Sequence, residues 1–118
     1  RMADGFLAAA ARGVDVRLVI GSDFAAVRSL QAGLPAGHVI TCPGPDGLAG
    51  SCHGEGINHN KFITFSRLLD GTRDVVVQSS ANFTQPQLVQ ANHLLVFRNH
   101  AALHAVHRAY WDDLARQQ

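Results

Sequence analysis

Residues 57–66 read INHNKFITFS and decide how the rest of the chain is interpreted. The largely apolar run at the centre of this segment predicts a strand over residues 59 to about 65. Because apolar side chains fall on both of its faces, the strand is expected to lie centrally in a sheet. Side chains at positions i and i+2 of a strand point to the same face, so His59 and Lys61 should stand side by side, about 7 Å apart.

Helical and strand patterns alternate on either side of this segment. Met2, Phe6 and Ala10 recur at helical spacing, and Gly13 then ends the predicted helix. Next come a strand over residues 14–20 and a helix over about 23–31, which Ser22 caps and Gly33 ends. Further strands are predicted over residues 38–42, 74–78 and 93–98, with turns between them. A last helix follows, which Asn99 caps and whose core stripe is Leu103, Val106, Tyr110 and Leu114. This mixture predicts the α/β class, with helices on both faces of a mixed sheet.

The 118 residues suit one domain covering residues 1–118. A hydrophobic share of 47% with 16% charged residues is an ordinary globular composition. The net charge of +1 is too balanced to predict nucleic-acid binding from charge alone, although it is compatible with a local basic patch. The chain opens on RMADGFLAAAARG, which reads as a helix already under way, so we expect it to be a fragment or one half of a longer protein.

Cys42 and Cys52 bracket a loop rich in glycine and proline, CPGPDGLAGSC. Cysteines in this setting favour a disulfide that closes the loop, and two free thiols are the alternative. A disulfide indicates an oxidising compartment, so we expect an extracellular or secreted protein, with a cytoplasmic location as the alternative. Two cysteines alone cannot form a four-ligand zinc site.

His59 and Lys61 suit chemistry at a phosphorus centre. A neutral imidazole is a usable nucleophile, and a neighbouring lysine supplies positive charge for the phosphate oxygens. The segment S-S-A-N, after the second buried strand, adds Ser80 and Asn82, whose side chains can donate hydrogen bonds to such oxygens. The alternatives are a polar pair at the frayed start of a strand and ordinary turn chemistry for Ser80 and Asn82.

The order H-N-K, apolar strand, second strand, S-S-A-N resembles the phospholipase D superfamily, whose motif is H-x-K-x4-D followed by G-S-x-N. GVDVRLVI and the tail HLLVFRNHAALHAVHRAYWDDL also look like the units that flank this motif in the family. The resemblance implies that His59 forms a phosphohistidine intermediate and that Lys61 and Asn82 bind the phosphate oxygens, with Ser80 supporting them. It implies neither a cofactor nor a metal.

The chain departs from the family's pattern at three places. Ser66 stands where the motif has aspartate, and Ser79 stands where the second segment has glycine. Many relatives also carry an acidic residue after S-x-N that orients the histidine, and here Gln90 or Asn92 is the candidate replacement. His53, in the glycine-rich loop before the motif, is a candidate for lining the substrate entrance, and a solvated loop is the alternative.

In this family two such motifs build one active site, and the chain contains one. We therefore expect a second motif-bearing half, either on a missing segment of the same protein or on the second chain of a symmetric homodimer. The implied function is phospholipase D-type hydrolysis of a phospholipid, as in lipid degradation. The alternatives are a phosphodiester nuclease of the same superfamily and a non-catalytic half that binds phosphate or serves a structural role.

His100, His104 and His107 fall at helical spacing on one face of the last predicted helix. Such spacing could hold a metal ion. The preferred interpretation is a boundary beside the apolar core stripe of that helix, so no metal site is predicted.

Overall fold

The computed structural model describes residues 2–21, 25–42, 44, 50–82, 87 and 89–116. Its elements are α1 (Met2–Ala11), β1 (Leu18–Ile20), α2 (Ala25–Gly33), β2 (Val39–Thr41), β3 (Phe62–Arg67), β4 (Arg73–Ser79), β5 (Leu94–Phe97) and α3 (Ala101–Arg116). The predicted α/β class is confirmed. Among the described residues, however, the strands form two separate sheets, a parallel pair and an antiparallel triplet, rather than one mixed sheet.

The first unit of the chain comprises Arg1–Asn58 and Asp113–Gln118. Strands β1 and β2 pair in parallel, with Leu18 opposite Val39. Its core is formed by buried Val16, Leu30 and Leu34, against which side chains of α1 pack. Helices α1 and α2 approach so closely that a Cβ on Gly33 would lie 2.5 Å from a methyl carbon of Leu7. A larger residue at position 33 would therefore require the Leu7 side chain to shift.

The strand predicted over residues 14–20 is shorter than its apolar alternation indicates. Only Leu18–Ile20 pair in β1, because the partner β2 offers just three residues, Val39–Thr41. Val14 is 52% exposed, while Val16 is buried by packing rather than by membership of a strand. The helix predicted over residues 23–31 is present as α2, and its predicted cap, Ser22, lies outside the described residues.

Cys42 and Cys52 form a disulfide, with their Cα atoms 4.9 Å apart. This confirms the predicted pairing. Both cysteines are buried and pack with Leu114, and Val19 and Ile40 pack against this cluster. The bridge therefore both closes the loop and forms part of the core of the first unit.

Replacing both cysteines with serine is expected to lower the free energy of unfolding by about 3 kcal/mol, since the cross-link restricts a loop with a sequence separation of 10. Urea denaturation followed by circular dichroism measures the change. As the control, reductant should lower the stability of the parent chain and leave the double variant unchanged. A parent chain that is equally stable in reductant would contradict the prediction.

The second unit comprises His59–Asp112 and contains the antiparallel sheet in the order β3-β4-β5. Strand β4 is central, with Val75 and Val76 almost completely buried. Strand β3 begins at Phe62 and lies at the edge of this three-stranded sheet, so the central position predicted for it is wrong within the described residues. Strand β4 follows β3 through a tight turn and pairs with it, and β5 then pairs with the free side of β4. The described strands therefore leave the other side of β3 without a partner.

Helix α3 begins differently from the prediction. The His100 side chain caps it, because the Leu103 N–H donates to His100 Nδ1 at 3.2 Å. The predicted cap, Asn99, has a left-handed backbone (φ 53°), and its Oδ1 accepts a hydrogen bond from the Arg73 N–H instead. Asn99 thus fastens the start of β4 to the end of β5.

The face that α3 buries is also rotated from the predicted stripe. Of the predicted positions only Leu114 is buried, while Val106 is 64% exposed. His104 and His107 are half-buried, and the His107 ring packs edge-on against Phe62 with ring centroids 5.1 Å apart. These two histidines therefore belong to the packing face of the helix and not to its boundary.

Candidate functional site

His59 and Lys61 lie in an extended segment that leads into β3, three residues and one residue before its start. The Ser79 N–H donates to the Lys61 carbonyl oxygen at 2.9 Å, which continues the β3–β4 register by one step. Lys61 is thus held beside the end of β4, where the S-S-A-N segment begins. His59 is exposed and Lys61 is half-buried.

The two side chains meet, as the strand spacing predicts. Lys61 Nζ lies 2.8 Å from His59 Nδ1 and 2.5 Å from the His59 carbonyl oxygen. An ammonium group has no lone pair, so with Lys61 protonated Nδ1 is the acceptor, and the proton of the neutral imidazole sits on Nε2. The pair therefore presents N–H donors suited to an anion, and Nε2 acquires a free lone pair only after its proton moves.

The partial burial of Lys61 has an electrostatic consequence. Desolvation lowers the pKa of the Lys61 ammonium from its ordinary value of 10.5. A lysine with a lowered pKa gives up its proton more readily than one in open solvent. An anion bound at Nζ would favour the charged form and oppose this shift.

Ser80 joins the end of β4 to the start of β5. Its Oγ donates to Asn92 Oδ1 at 3.2 Å and accepts from the His93 N–H at 3.0 Å. The backbone N–H of Ser80 also donates to the His93 carbonyl oxygen at 3.1 Å. Within the same turn, Ser79 Oγ accepts from the Ala81 N–H at 3.0 Å. These bonds connect the start of the S-S-A-N segment, which lies beside Lys61, to the residues before β5.

Asn92 and Gln90 take part in the same turn. The Asn92 Nδ2 group donates to the carbonyl oxygens of Gln87 (2.9 Å) and Gln90 (3.1 Å). Together with the bond from Ser80, both ends of the Asn92 carboxamide are engaged. The contact described at the His59 ring is with Lys61, and the orienting role of Gln90 or Asn92 stays a prediction.

The other candidate positions are placed as follows. Asn82 is exposed and lies three residues beyond the last residue of β4. Ser66, at the position of the motif aspartate, is an exposed residue of β3. His53 belongs to the first unit, where its N–H donates to Ser51 Oγ at 3.0 Å. The roles of Asn82 and His53 stay predictions.

Asn60, between His59 and Lys61, is a positioning residue that the sequence reasoning missed. Its Nδ2 donates to the Tyr110 hydroxyl at 2.7 Å. The ring centroids of Phe62 and Tyr110 lie 6.0 Å apart. Because side chains alternate along an extended chain, anchoring Asn60 and Phe62 on α3 turns His59 and Lys61 to the other side. The middle residue of H-x-K could have been recognised from that alternation.

In the described part of the chain, no group of three histidine, cysteine, aspartate or glutamate side chains is arranged to hold a metal ion. None of the helices in that part combines the length and the apolar character needed to cross a membrane.

Comparison of the chain with known protein families, with curated proteins and with solved structures yields no match. The candidate site combines an exposed imidazole in contact with a half-buried ammonium, beside a turn with side-chain hydrogen bonds.

Proposed function

We propose that this chain is one motif-bearing half of a phospholipase D-type phosphodiesterase, in which His59 attacks the phosphorus atom. The observation that carries the proposal is the 2.8 Å contact between Lys61 Nζ and His59 Nδ1. A nucleophile and a fixed positive charge at this separation can both reach one phosphoryl group. The ordered turn beside Lys61 leads to Asn82, a further donor for phosphate oxygens.

The chemistry requires Lys61 to exchange partners. On substrate binding the ammonium turns from His59 Nδ1 to a phosphate oxygen, and the imidazole proton passes through solvent from Nε2 to Nδ1. The Nε2 lone pair then attacks phosphorus, so that a P–N bond forms and the P–O bond to the leaving group breaks. The leaving oxygen takes a proton from the histidine of the second half, and water later cleaves the P–N bond to restore His59.

The proposed enzyme needs a second motif-bearing half and acts on a phospholipid. The second histidine comes from a further segment of the same protein or from a symmetric partner chain. A phospholipid is favoured over a nucleic acid, because the net charge of +1 offers little general attraction for a polyanion. The disulfide between Cys42 and Cys52 supports an extracellular location.

A specific observation favours a second candidate, a non-catalytic half that binds phosphate. The contact from Lys61 leaves the proton on His59 Nε2, the nitrogen that must be bare for attack. Ser66, in place of the motif aspartate, points the same way. In this candidate both side chains act only as hydrogen-bond donors to an anion.

Bis(4-nitrophenyl) phosphate tests the first step on this chain alone. Nitrophenolate is a weak base and leaves without a proton, so the histidine of the second half is not required. We expect one aryl phosphoryl group per chain, which peptide mass analysis should locate on His59. If no adduct forms but inorganic phosphate shifts the imidazole resonances of His59, the chain binds phosphate without catalysing the reaction. If neither is observed, both candidates are wrong.

A test of the substrate class needs the second half of the proposed site, so it uses the longer protein or a dimer. Choline release from phosphatidylcholine is then compared with cleavage of single-stranded DNA, each against a His59→Ala form. We expect His59-dependent choline release to exceed DNA cleavage. The reverse order would make the protein a nuclease.

A further inference from the structure

The turn between β3 and β4 carries a large apolar side chain in solvent. Leu69 is fully solvent-exposed (104%) at the tip of the connection between the two strands, residues 68–72. The loop is ordered by hydrogen bonds from the Leu68 N–H to the Thr72 carbonyl oxygen (2.8 Å) and from the Gly71 N–H to the Leu68 carbonyl oxygen (3.1 Å). Gly71 supplies the left-handed conformation (φ 86°) that this loop requires. The geometry of the turn does not require an apolar side chain at position 69.

Three arginines lie at the same end of the sheet as this leucine. Arg67 and Arg73 are exposed and stand directly opposite each other across β3 and β4, although facing like charges weaken a strand pair. Arg98, which follows β5, approaches the same loop, where its Nη1 lies 3.8 Å from Asp70 Oδ2. Near the three guanidinium groups lies the carboxylate of Asp70. The other nearby acid, Asp74, has its Oδ1 3.8 Å from His104 Nδ1. The end of the sheet carries excess positive charge around an exposed leucine.

We propose that this tip, formed by Leu69 with Arg67, Arg73 and Arg98, docks on an anionic phospholipid surface. Guanidinium groups bind phosphate and carboxylate groups through paired hydrogen bonds. A leucine at the apex of an ordered turn can enter the apolar boundary beneath the headgroups with little loss of conformational freedom. A nucleic-acid backbone would satisfy the arginines but offers no apolar phase for the leucine, so a membrane surface is the better fit.

The tip is separate from the candidate active site. Lys61 directly precedes β3 and Arg67 ends it, so the six residues of the strand place the two features about 20 Å apart. Docking at the tip therefore does not depend on His59 or Lys61 chemistry, and the inference goes beyond the proposed function.

Co-sedimentation of the chain with phospholipid vesicles tests the inference. We expect binding to vesicles of phosphatidylcholine with phosphatidylserine, weaker binding to phosphatidylcholine alone, and loss of binding at high salt. Arg67→Gln and Arg73→Gln should each lower the partition coefficient about fivefold. Leu69→Ser should lower it about tenfold. The controls are Val106→Ser, which removes another exposed apolar side chain, on α3, and Arg12→Gln in the first unit, and both should bind like the parent chain.

Three results would overturn the inference: vesicle binding that the tip substitutions leave unchanged, equal binding to uncharged vesicles, or tip-dependent binding to single-stranded DNA that is as strong as binding to vesicles. Circular dichroism of each variant establishes that it is folded, and Leu69→Ala provides a milder test of the apolar contribution.

Discussion

Replacing His59 with glutamine is expected to lower the rate of nitrophenolate release from bis(4-nitrophenyl) phosphate by at least about 1000-fold. Glutamine has similar size and can occupy the same exposed position, but its amide nitrogen has no lone pair available for attack on phosphorus. The amplitude of the initial absorbance burst measures the fraction of chains that react. Because the leaving group needs no proton, the loss reports on the nucleophile alone.

Two further variants show whether the loss is specific, one as a matched control and one as a test of the neighbouring charge. His93→Gln removes another exposed histidine of the second unit and should leave the burst unchanged. Lys61→Met should slow the burst about 100- to 1000-fold, the usual effect of removing one donor that stabilises the transition state. A full burst from the His59→Gln form would show that the chemistry occurs elsewhere.

Val76→Asp is expected to destabilise the second unit by at least about 3 kcal/mol. Val76 is 0% exposed and lies in the central strand between Thr64 of β3 and Phe97 of β5. A carboxylate there loses its hydration without a cationic partner among the residues paired with it, so it must either remain charged at high cost or bind a proton. Urea denaturation followed by circular dichroism at neutral pH measures the loss.

The same substitution at a half-exposed strand position is the control. Val96 in β5 is 47% exposed, so Val96→Asp keeps its carboxylate in water and should cost about 1 kcal/mol or less. Raising the acidity should narrow the difference between the two variants, because a protonated aspartic acid is less costly to bury. Equal losses at the two positions would mean that β4 is not the dry centre of this sheet.

The sequence predicted those features of the candidate site that depend only on the regular repeat of side chains along the strand. The two-residue repeat of extended chain places His59 and Lys61 on one side, and their side chains do meet. The protonation pattern was not predictable, because it depends on which imidazole nitrogen the lysine reaches. The roles of Ser80 and Asn92 also depend on a long-range pairing, since their bond forms only where β4 and β5 come together.

The sequence by itself determined the α/β class, the approximate places of the helices and strands, the turn between β3 and β4, and the closing of the cysteine loop, because apolar periodicity, glycine and cysteine act over a few residues. Only the tertiary structure decided that the described strands form two sheets, that β3 is an edge strand, and that His104 and His107 lie on the packed face of α3. These features depend on partners distant in the chain, and local propensity carries no information about which partner a strand or helix face will meet.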